Sequence, residues 1–371
     1  MSKKDSELDI APDILRKLRE NTGYSEQQIS SKLEISVEEL QKIESGKVKV
    51  SIGLIKRLSD IYQYPLITFF EDKAPEYPHK LKDYRINRDK KISPEVRKAE
   101  RRAYYLINAL QEISEERSNI PEFSKDYTAT QLAQAFREKI GISTFDSKKP
   151  EETLENYKQR LENKTGIVVI EYPLKADDVR AFCISSGISI IVLNEKDKPE
   201  VKLFSLFHDM CHLIQRSSAI CSMDLEVGGN NDVEYYCNLF ASEVLVPVSD
   251  LRNTASQIGT SQKSVGEMSK KYSVSKQVIM IRLLTNALIQ QERYAAFKSA
   301  FNEKLLPSEK KFGRRNWEKV YLKRVGRRTV EKVKSAHSSG KISTSEAMDI
   351  LNIKSKYAEK FIGEGGYNGT D

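Results

Sequence analysis

The N-terminal segment of the chain alternates short amphipathic stretches with tight breaks. A first predicted helix ends at Gly23, and Ser25 is placed to cap a second one over residues 26–33. After a three-residue turn, Ser36 is placed to cap a third predicted helix, which Gly46 would stop. Two short helices joined by so short a turn indicate a helix-turn-helix unit with a small apolar core.

The hydrophobic pattern of the remaining chain changes near residue 150. Before that point it predicts two helices that follow a linker rich in charge and proline. After it, β-branched runs predict strands, then a helix that carries His208, and further helices towards the C-terminus. The predicted ranges are 94–111 and 128–140 for the early helices, 166–172 and 188–193 for the strands, and 232–245 and 261–288 for the later helices.

These patterns predict a predominantly α-helical α+β protein made of four segments. The predicted segments are a helix-turn-helix domain (1–72), a basic helical linker (73–150), a core domain with a small sheet (151–290), and a basic C-terminal helical domain (291–371) that ends in a disordered tail.

Composition limits the class of protein further. The chain has 371 residues, of which 39% are hydrophobic and 31% are charged, so it can bury a sizeable core and is neither collagen-like nor wholly disordered. No apolar run approaches the roughly 20 residues that span a bilayer, and no signal-peptide pattern opens the chain. Four cysteines are too few for a disulfide scaffold. We therefore expect a cytoplasmic protein without a membrane partner.

The net charge of +8 is unevenly distributed. Residues 1–70 carry 11 basic and 11 acidic side chains, whereas residues 291–371 carry 18 basic and 10 acidic ones. The C-terminal basic patch, residues 310–334, holds 11 basic and 2 acidic residues with Trp317 and Tyr321 among them, a mixture that suits nucleic acid. Its candidate contact residues are Arg314, Arg315, Lys323, Arg324, Arg327 and Arg328. The alternative is a solvated, charged helix face.

A candidate metal site is indicated by two of the four histidines. His208 and His212 are four residues apart in apolar, helical sequence, so both imidazoles share one face and can reach one metal ion. Asp209 follows the first histidine, where metallopeptidases place the group that deprotonates water. Glu234, on the next predicted helix, suits a third ligand, and Asn238 lies one turn further on to hydrogen-bond a ligand. The histidine pair alone also fits chance proximity on a helix.

Three sequence segments resemble the ImmA/IrrE metallopeptidases that carry an N-terminal helix-turn-helix domain of the XRE type. They are IIVLN at 190–194, FSLFHDMCH at 204–212 and EYYCNLFASEVLVP at 234–247. The resemblance implies a zincin-like metallopeptidase core at 151–290, with His208, His212 and Glu234 as Zn²⁺ ligands. It also implies a zinc metallo-endopeptidase that cleaves a helix-turn-helix transcriptional repressor and thereby switches on stress, phage or mobile-element genes.

One position departs from the family pattern. Asp209 stands where the family has a catalytic glutamate, and its side chain is shorter by one methylene, or about 1.5 Å. Misplacement on this scale costs on the order of a hundredfold in rate. Two interpretations stay open: Asp209 acts as the general base from a closer helix, or the protein is a non-catalytic zinc-binding regulator or sensor.

Other residues near the candidate ligands also allow two interpretations. Cys211 lies on the face of His208 and could be a fourth ligand or a redox-sensitive latch, but a small residue packed against a neighbouring helix is the simpler interpretation. Tyr235 and Tyr236 could stabilise an oxyanion, although tyrosines on a buried helix are usually part of the core.

The predicted helix-turn-helix unit suggests DNA as a partner. In such units the second helix enters the major groove, and lysines beyond it hold phosphates. The candidate base-contacting residues are Ser36, Val37, Glu38, Gln41 and Lys42, and the candidate phosphate contacts are Lys47 and Lys49. Because this segment has no net charge, the alternative is a docking or dimerisation module, and a homodimer is one expectation.

Overall fold

The structure is a computed structural model that describes residues 7–8, 10–62, 64, 66–75, 81–83, 92–142, 149–174, 179–221, 232–303 and 317–363. The chain forms two compact units. The first comprises Met1–Lys80 and Asn87–Tyr104, and the second comprises Leu81–Ile86 and Tyr105–Asp371. The predicted division into four segments stays a prediction.

The first unit is a bundle of short helices with a two-stranded sheet. Its elements are β1 (Glu7–Leu8), α1 (Pro12–Thr22), α2 (Glu26–Leu33), α3 (Val37–Glu44), β2 (Val50–Ser51), α4 (Ile52–Tyr62), a 3-10 helix (Leu66–Phe70) and the first part of α5 (Pro94–Ile113). Strands β1 and β2 are antiparallel. Gly23 ends α1 in a left-handed conformation, as predicted. Ser25 caps α2 by accepting from the Gln28 amide, and Ser36 caps α3 by accepting from the Glu39 amide.

The second unit contains a five-stranded mixed sheet and the remaining helices. Its strands are β3 (Lys82–Asp83), β4 (Val168–Tyr172), β5 (Ala181–Ile184), β6 (Ile190–Asn194) and β7 (Ala219–Cys221). Its complete helices are α6 (Ala129–Ile140), α7 (Pro150–Thr165), α8 (Pro199–Ile214), α9 (Asp232–Leu245), α10 (Val248–Ile258), α11 (Gln262–Tyr272), α12 (Lys276–Thr285), α13 (Gln291–Glu303), α14 (Trp317–Val325), α15 (Arg327–Ser338), α16 (Thr344–Leu351), a 3-10 helix (Ser355–Tyr357) and α17 (Ala358–Ile362).

The strand order of this sheet is β3-β7-β5-β6-β4. Strands β4 and β6 are parallel, with Val168 opposite Ile190, and β5 lies antiparallel between β6 and β7. Strand β3 pairs with β7 in parallel. Strands β4, β5 and β6 are buried along almost their whole length, so apart from Glu171 and Asn194 their sequences are apolar runs instead of alternating ones.

Helix α8 is the central element of the unit. It packs against α7, α9 and strands β5 and β6, and residues 202–213 are all buried. Such all-round burial explains why apolar residues occur on every face of this helix. An aromatic cluster joins it to α6, α7 and α9: the ring of Phe136 meets those of Phe207 and Phe240 edge-on, and Tyr157 packs on Phe207.

The C-terminal helices cover the edge strand β4. Helix α14 packs on β4, and Gly326 between α14 and α15 adopts φ of 87°. A Cβ atom at Gly326 would lie 3.1 Å from Cγ2 of Ile170, so both the backbone conformation and the close approach require glycine here. This contact protects the edge of the sheet from pairing with other strands.

The predicted fold class is confirmed, because the chain is predominantly helical with one small mixed sheet. Strands β3, β5 and β7 were not predicted. The predicted disordered tail falls mostly on residues 364–371, which lie outside the described residues. Within the described part of the chain, none of the helices combines the length and the apolar content that crossing a bilayer needs.

Candidate metal centre

The helical spacing of His208 and His212 brings their imidazole rings together on one face of α8. Their Nε2 atoms are 3.2 Å apart, and both side chains are completely buried. Four residues correspond to slightly more than one helical turn, so the two rings lie one above the other and direct the same ring nitrogen at one point.

Glu234 reaches the same point from the first turn of α9. Its Oε1 lies 2.9 Å from Nε2 of His212, and its Oε2 lies 3.3 Å from Nε2 of His208. Burial raises the pKa of Glu234, but the two imidazoles outweigh this effect and lower the pKa to about 2. Glu234 therefore presents a charged carboxylate to both histidines.

Asn238 orients one of the two imidazoles. Its Oδ1 lies 2.8 Å from Nδ1 of His208. Because an amide oxygen only accepts, Nδ1 of His208 donates, and Nε2 is the nitrogen that faces the centre, where its lone pair would be available to a metal ion. Asn238 is one helical turn from Glu234, so α9 supplies both a candidate ligand and the group that orients another.

The three candidate ligands have the separations that a zinc ion requires. In a tetrahedral site with Zn–N and Zn–O bonds of about 2.0–2.1 Å, neighbouring ligand atoms lie about 3.3 Å apart. The two Nε2 atoms are 3.2 Å apart, and each faces a different oxygen of the Glu234 carboxylate, at 2.9 Å for His212 and 3.3 Å for His208. Two imidazoles and a carboxylate therefore converge at distances that fit one Zn²⁺ ion.

Cys221, which the sequence analysis did not single out, completes this cluster. Its Sγ lies 3.5 Å from Nε2 of His212 and 3.9 Å from Oε1 of Glu234. One donor atom each of His208, His212, Cys221 and Glu234 lie within 4.8 Å of one another. No local motif predicts this position, because Cys221 reaches the site through the pairing of β7 with β5.

Asp209 is buried in the protein interior. The side chain is 0% exposed, and neither carboxylate oxygen has a well-formed hydrogen-bond partner among the described residues. Burial raises the pKa of Asp209 to about 7 against the opposing effect of His208. Among the described residues, the weakly donating thiol of Cys221 comes within hydrogen-bond reach of this carboxylate. A buried acid with so weak a donor is costly unless it serves a ligand or a reaction.

The remaining candidates on α8 and α9 have structural contacts. Cys211 is completely buried and is not part of the metal-capable cluster; it lies within hydrogen-bond reach of Cys237. The hydroxyl of Tyr236 donates to the backbone oxygen of Tyr127 at 2.8 Å. Tyr235 is 44% exposed and therefore does not belong to the core.

Comparison with known families agrees with this geometry. Residues 162–284 match the model of the IrrE N-terminal-like domain of the M78 peptidases, and residues 15–69 match that of a helix-turn-helix domain. The chain carries an IrrE N-terminal-like peptidase domain. This match confirms the resemblance to the ImmA/IrrE family with an N-terminal helix-turn-helix domain. No curated protein sequence matches the chain.

The IrrE N-terminal-like domain includes the whole metal-capable cluster, since 162–284 spans strands β4 to β7 and helices α8 to α12. Helix α12 of this domain follows α11 after a turn at Ser273 and begins at the cap residue Ser275, a local arrangement similar to that of α2 and α3. However, residues 278–283 of α12 are buried, so they are not available to contact bases in the major groove of DNA.

The matched helix-turn-helix domain exposes most of its predicted contact residues. Ser36, Glu38, Gln41, Lys42, Lys47 and Lys49 are exposed, and Val37 is half-buried. Several of these side chains already have local partners: for example, the Ser36 hydroxyl caps α3, and Gln41 Nε2 donates to Oε2 of Glu26 at 2.8 Å. The pKa of Glu38 is lowered by its own backbone amide and by Ser36, so a negative charge marks the start of α3.

The described part of the C-terminal basic patch is paired with acidic residues of the same unit. The ion pairs are Lys323 with Glu155 and Glu171, Arg324 with Glu195, Arg327 with Glu331, and Arg328 with Glu116. Much of this positive charge thus complements acidic groups of the second unit. Arg314 and Arg315 lie outside the described residues.

Proposed function

We propose that the protein is a DNA-binding, zinc-dependent metallo-endopeptidase that cleaves a partner transcriptional repressor. The observation that carries this proposal is the convergence of His208, His212 and Glu234 at separations of 2.9–3.3 Å, inside a domain that matches the M78 peptidases. The proposed partners are DNA and a repressor of the helix-turn-helix class, and the proposed location is the cytoplasm, where the four buried free thiols would remain reduced.

Each residue of the centre has a distinct proposed task. His208, His212 and Glu234 hold the metal, and Asn238 fixes the tautomer of His208. A bound zinc ion would supply Lewis acidity that polarises the scissile carbonyl and acidifies water. Asp209 accepts a proton from the attacking water and returns it to the leaving amine.

The proposed substrate is supported by the domain organisation and by the family. A helix-turn-helix domain on the same chain would bring the peptidase to the operator region at which a repressor also binds. Cleavage of that repressor would release stress, phage or mobile-element genes. DNA-bound helix-turn-helix domains usually act in pairs, so a homodimer is part of the proposal.

The first experiment measures metal and cleavage together. Purified wild-type protein should contain about one zinc ion per chain by mass spectrometry, and His208→Ala should contain almost none. Wild-type protein should cleave a helix-turn-helix repressor encoded beside its own gene when the two are co-expressed, whereas His208→Ala should not. A wild type without stoichiometric zinc would contradict the metal site itself.

A second candidate function is a non-catalytic zinc-binding transcriptional regulator. The observation that favours it is Asp209, which has a shorter side chain than the family's glutamate and is buried without a well-formed partner. Two variants separate the candidates. A peptidase should cleave faster as Asp209→Glu and lose cleavage as Asp209→Ala, whereas a regulator should bind zinc and DNA equally well in all three forms and cleave in none.

A further inference from the structure

Cys221 lies within hydrogen-bond reach of Asp209, and its thiol also lies at the candidate metal centre. A catalytic zinc site of this class has three protein ligands and keeps the fourth position for water. In this protein a completely buried sulfur atom at the end of β7 lies 3.5 Å from Nε2 of His212. The fourth donor is therefore supplied by the chain itself.

The distances fit metal coordination by this sulfur. With Zn–S and Zn–N bonds of about 2.3 Å and 2.05 Å, a tetrahedral site places the sulfur about 3.6 Å from each nitrogen or oxygen ligand. The observed distances from Sγ of Cys221 are 3.5 Å to His212 and 3.9 Å to Glu234. Both values are close to the edge length of one tetrahedron.

The backbone around Cys221 is held in place by the sheet. Cys221 is opposite Ala181 of β5, and its backbone oxygen accepts from the amide of Arg180 at 3.1 Å. Ala219 precedes Cys221 by two residues in β7, so the two side chains lie on the same face of the strand. These contacts fix the main chain of Cys221 beside the candidate ligands, and rotation about its Cα–Cβ bond sets the position of the sulfur.

We infer that the thiolate of Cys221 is the fourth metal ligand, and that it closes the centre together with His208, His212 and Glu234. This inference rests on the metal site of the proposed function. Ligation releases the thiol proton to solvent. While the sulfur is bound, it occupies the position that a catalytic zinc site keeps for water, so cleavage requires the sulfur to leave the metal.

The test uses cobalt in place of zinc, because a thiolate bound to Co²⁺ gives a charge-transfer absorption band in the near ultraviolet. Full-length protein is reconstituted with one equivalent of Co²⁺ as wild type, as Cys221→Ala and as Cys183→Ala. Cys183 is a matched control, since it is also completely buried and lies on the neighbouring strand β5. Circular dichroism checks that each variant is folded.

The band is expected in the wild type and in Cys183→Ala, and it should be lost in Cys221→Ala although one Co²⁺ ion stays bound. Azide should then change the visible spectrum of Cys221→Ala and leave that of the wild type unchanged. A band that persists in Cys221→Ala would overturn the inference, as would azide binding to the wild type.

A second measurement needs no variant. X-ray absorption of the zinc-loaded wild type should show one sulfur neighbour at about 2.3 Å beside nitrogen and oxygen neighbours at about 2.0 Å. A shell of nitrogen and oxygen alone would refute ligation by Cys221 and leave the three-ligand peptidase site intact. A protein that binds neither metal would instead contradict the proposed function as a whole.

Discussion

Replacing Glu162 by glutamine should stabilise the protein, and more so as the pH rises. Glu162 lies on α7 with 5% of its surface exposed, and its Oε1 accepts from the amide of Val169 at 3.1 Å. Burial raises the pKa of Glu162 to about 7, and the cations Lys158 and Arg328 only partly oppose this effect. In the Glu162→Gln variant the amide oxygen still accepts from Val169, but no buried charge forms.

The direction of the pH dependence of stability follows from the direction of the pKa shift of Glu162. The pKa of Glu162 is higher in the folded protein, about 7, than the 4.5 of an ordinary glutamate, so the folded state binds the proton more tightly. Its favourable contribution is complete below pH 4.5 and is lost as the pH rises through 7. At about 1.4 kcal/mol per pKa unit, ionisation of Glu162 costs the wild type about 1 kcal/mol at pH 5 and about 3 kcal/mol at pH 8.

The assay is urea unfolding at pH 5 and pH 8, followed by the fluorescence of Trp317. This residue is the single tryptophan of the chain and belongs to the same unit as Glu162. The difference in free energy of unfolding between Glu162→Gln and the wild type should grow by about 2 kcal/mol from pH 5 to pH 8. Glu151→Gln, an exposed change on the same helix, is the control and should show no such growth. An advantage that does not change with pH would refute the reasoning.

Three further changes test other parts of the molecule. Burial raises the pKa of Glu171, but Lys158 and Lys202 outweigh this effect and hold the pKa at about 2. Glu171→Gln should therefore lower the free energy of unfolding by about 3 kcal/mol at pH 7, and by less as the pH falls below 4.5. Urea unfolding measures this loss. Asn238→Ala should weaken zinc binding about ten- to a hundredfold in a chelator competition, because an imidazole loses its orienting acceptor. Lys42→Ala should weaken operator binding in a gel-shift titration, and unchanged affinity would contradict the assigned groove contact.

The sequence alone determined the features that depend on neighbouring residues only. Ser25, Ser36 and Gly23 mark helix ends because caps and left-handed turns depend on neighbouring residues only. His208 and His212 could be placed on one face because four residues span about one helical turn. Glu234 was predicted as a third ligand from its place on the following helix and from the family pattern, and the structure brings it to the same point as the two histidines.

Contacts between distant segments were decided only by the tertiary structure. Cys221 reaches the candidate metal centre because β7 pairs with β5 and β3, and no local pattern encodes this pairing. The charge of the C-terminal segment was visible in the sequence, but its use was not. Arg324 donates to Glu195, which lies 129 residues away in the sequence. The basic segment that was expected to bind a polyanion therefore also neutralises acidic groups within its own unit. Charge content is a property of composition, whereas the partner of each charge depends on how the chain folds.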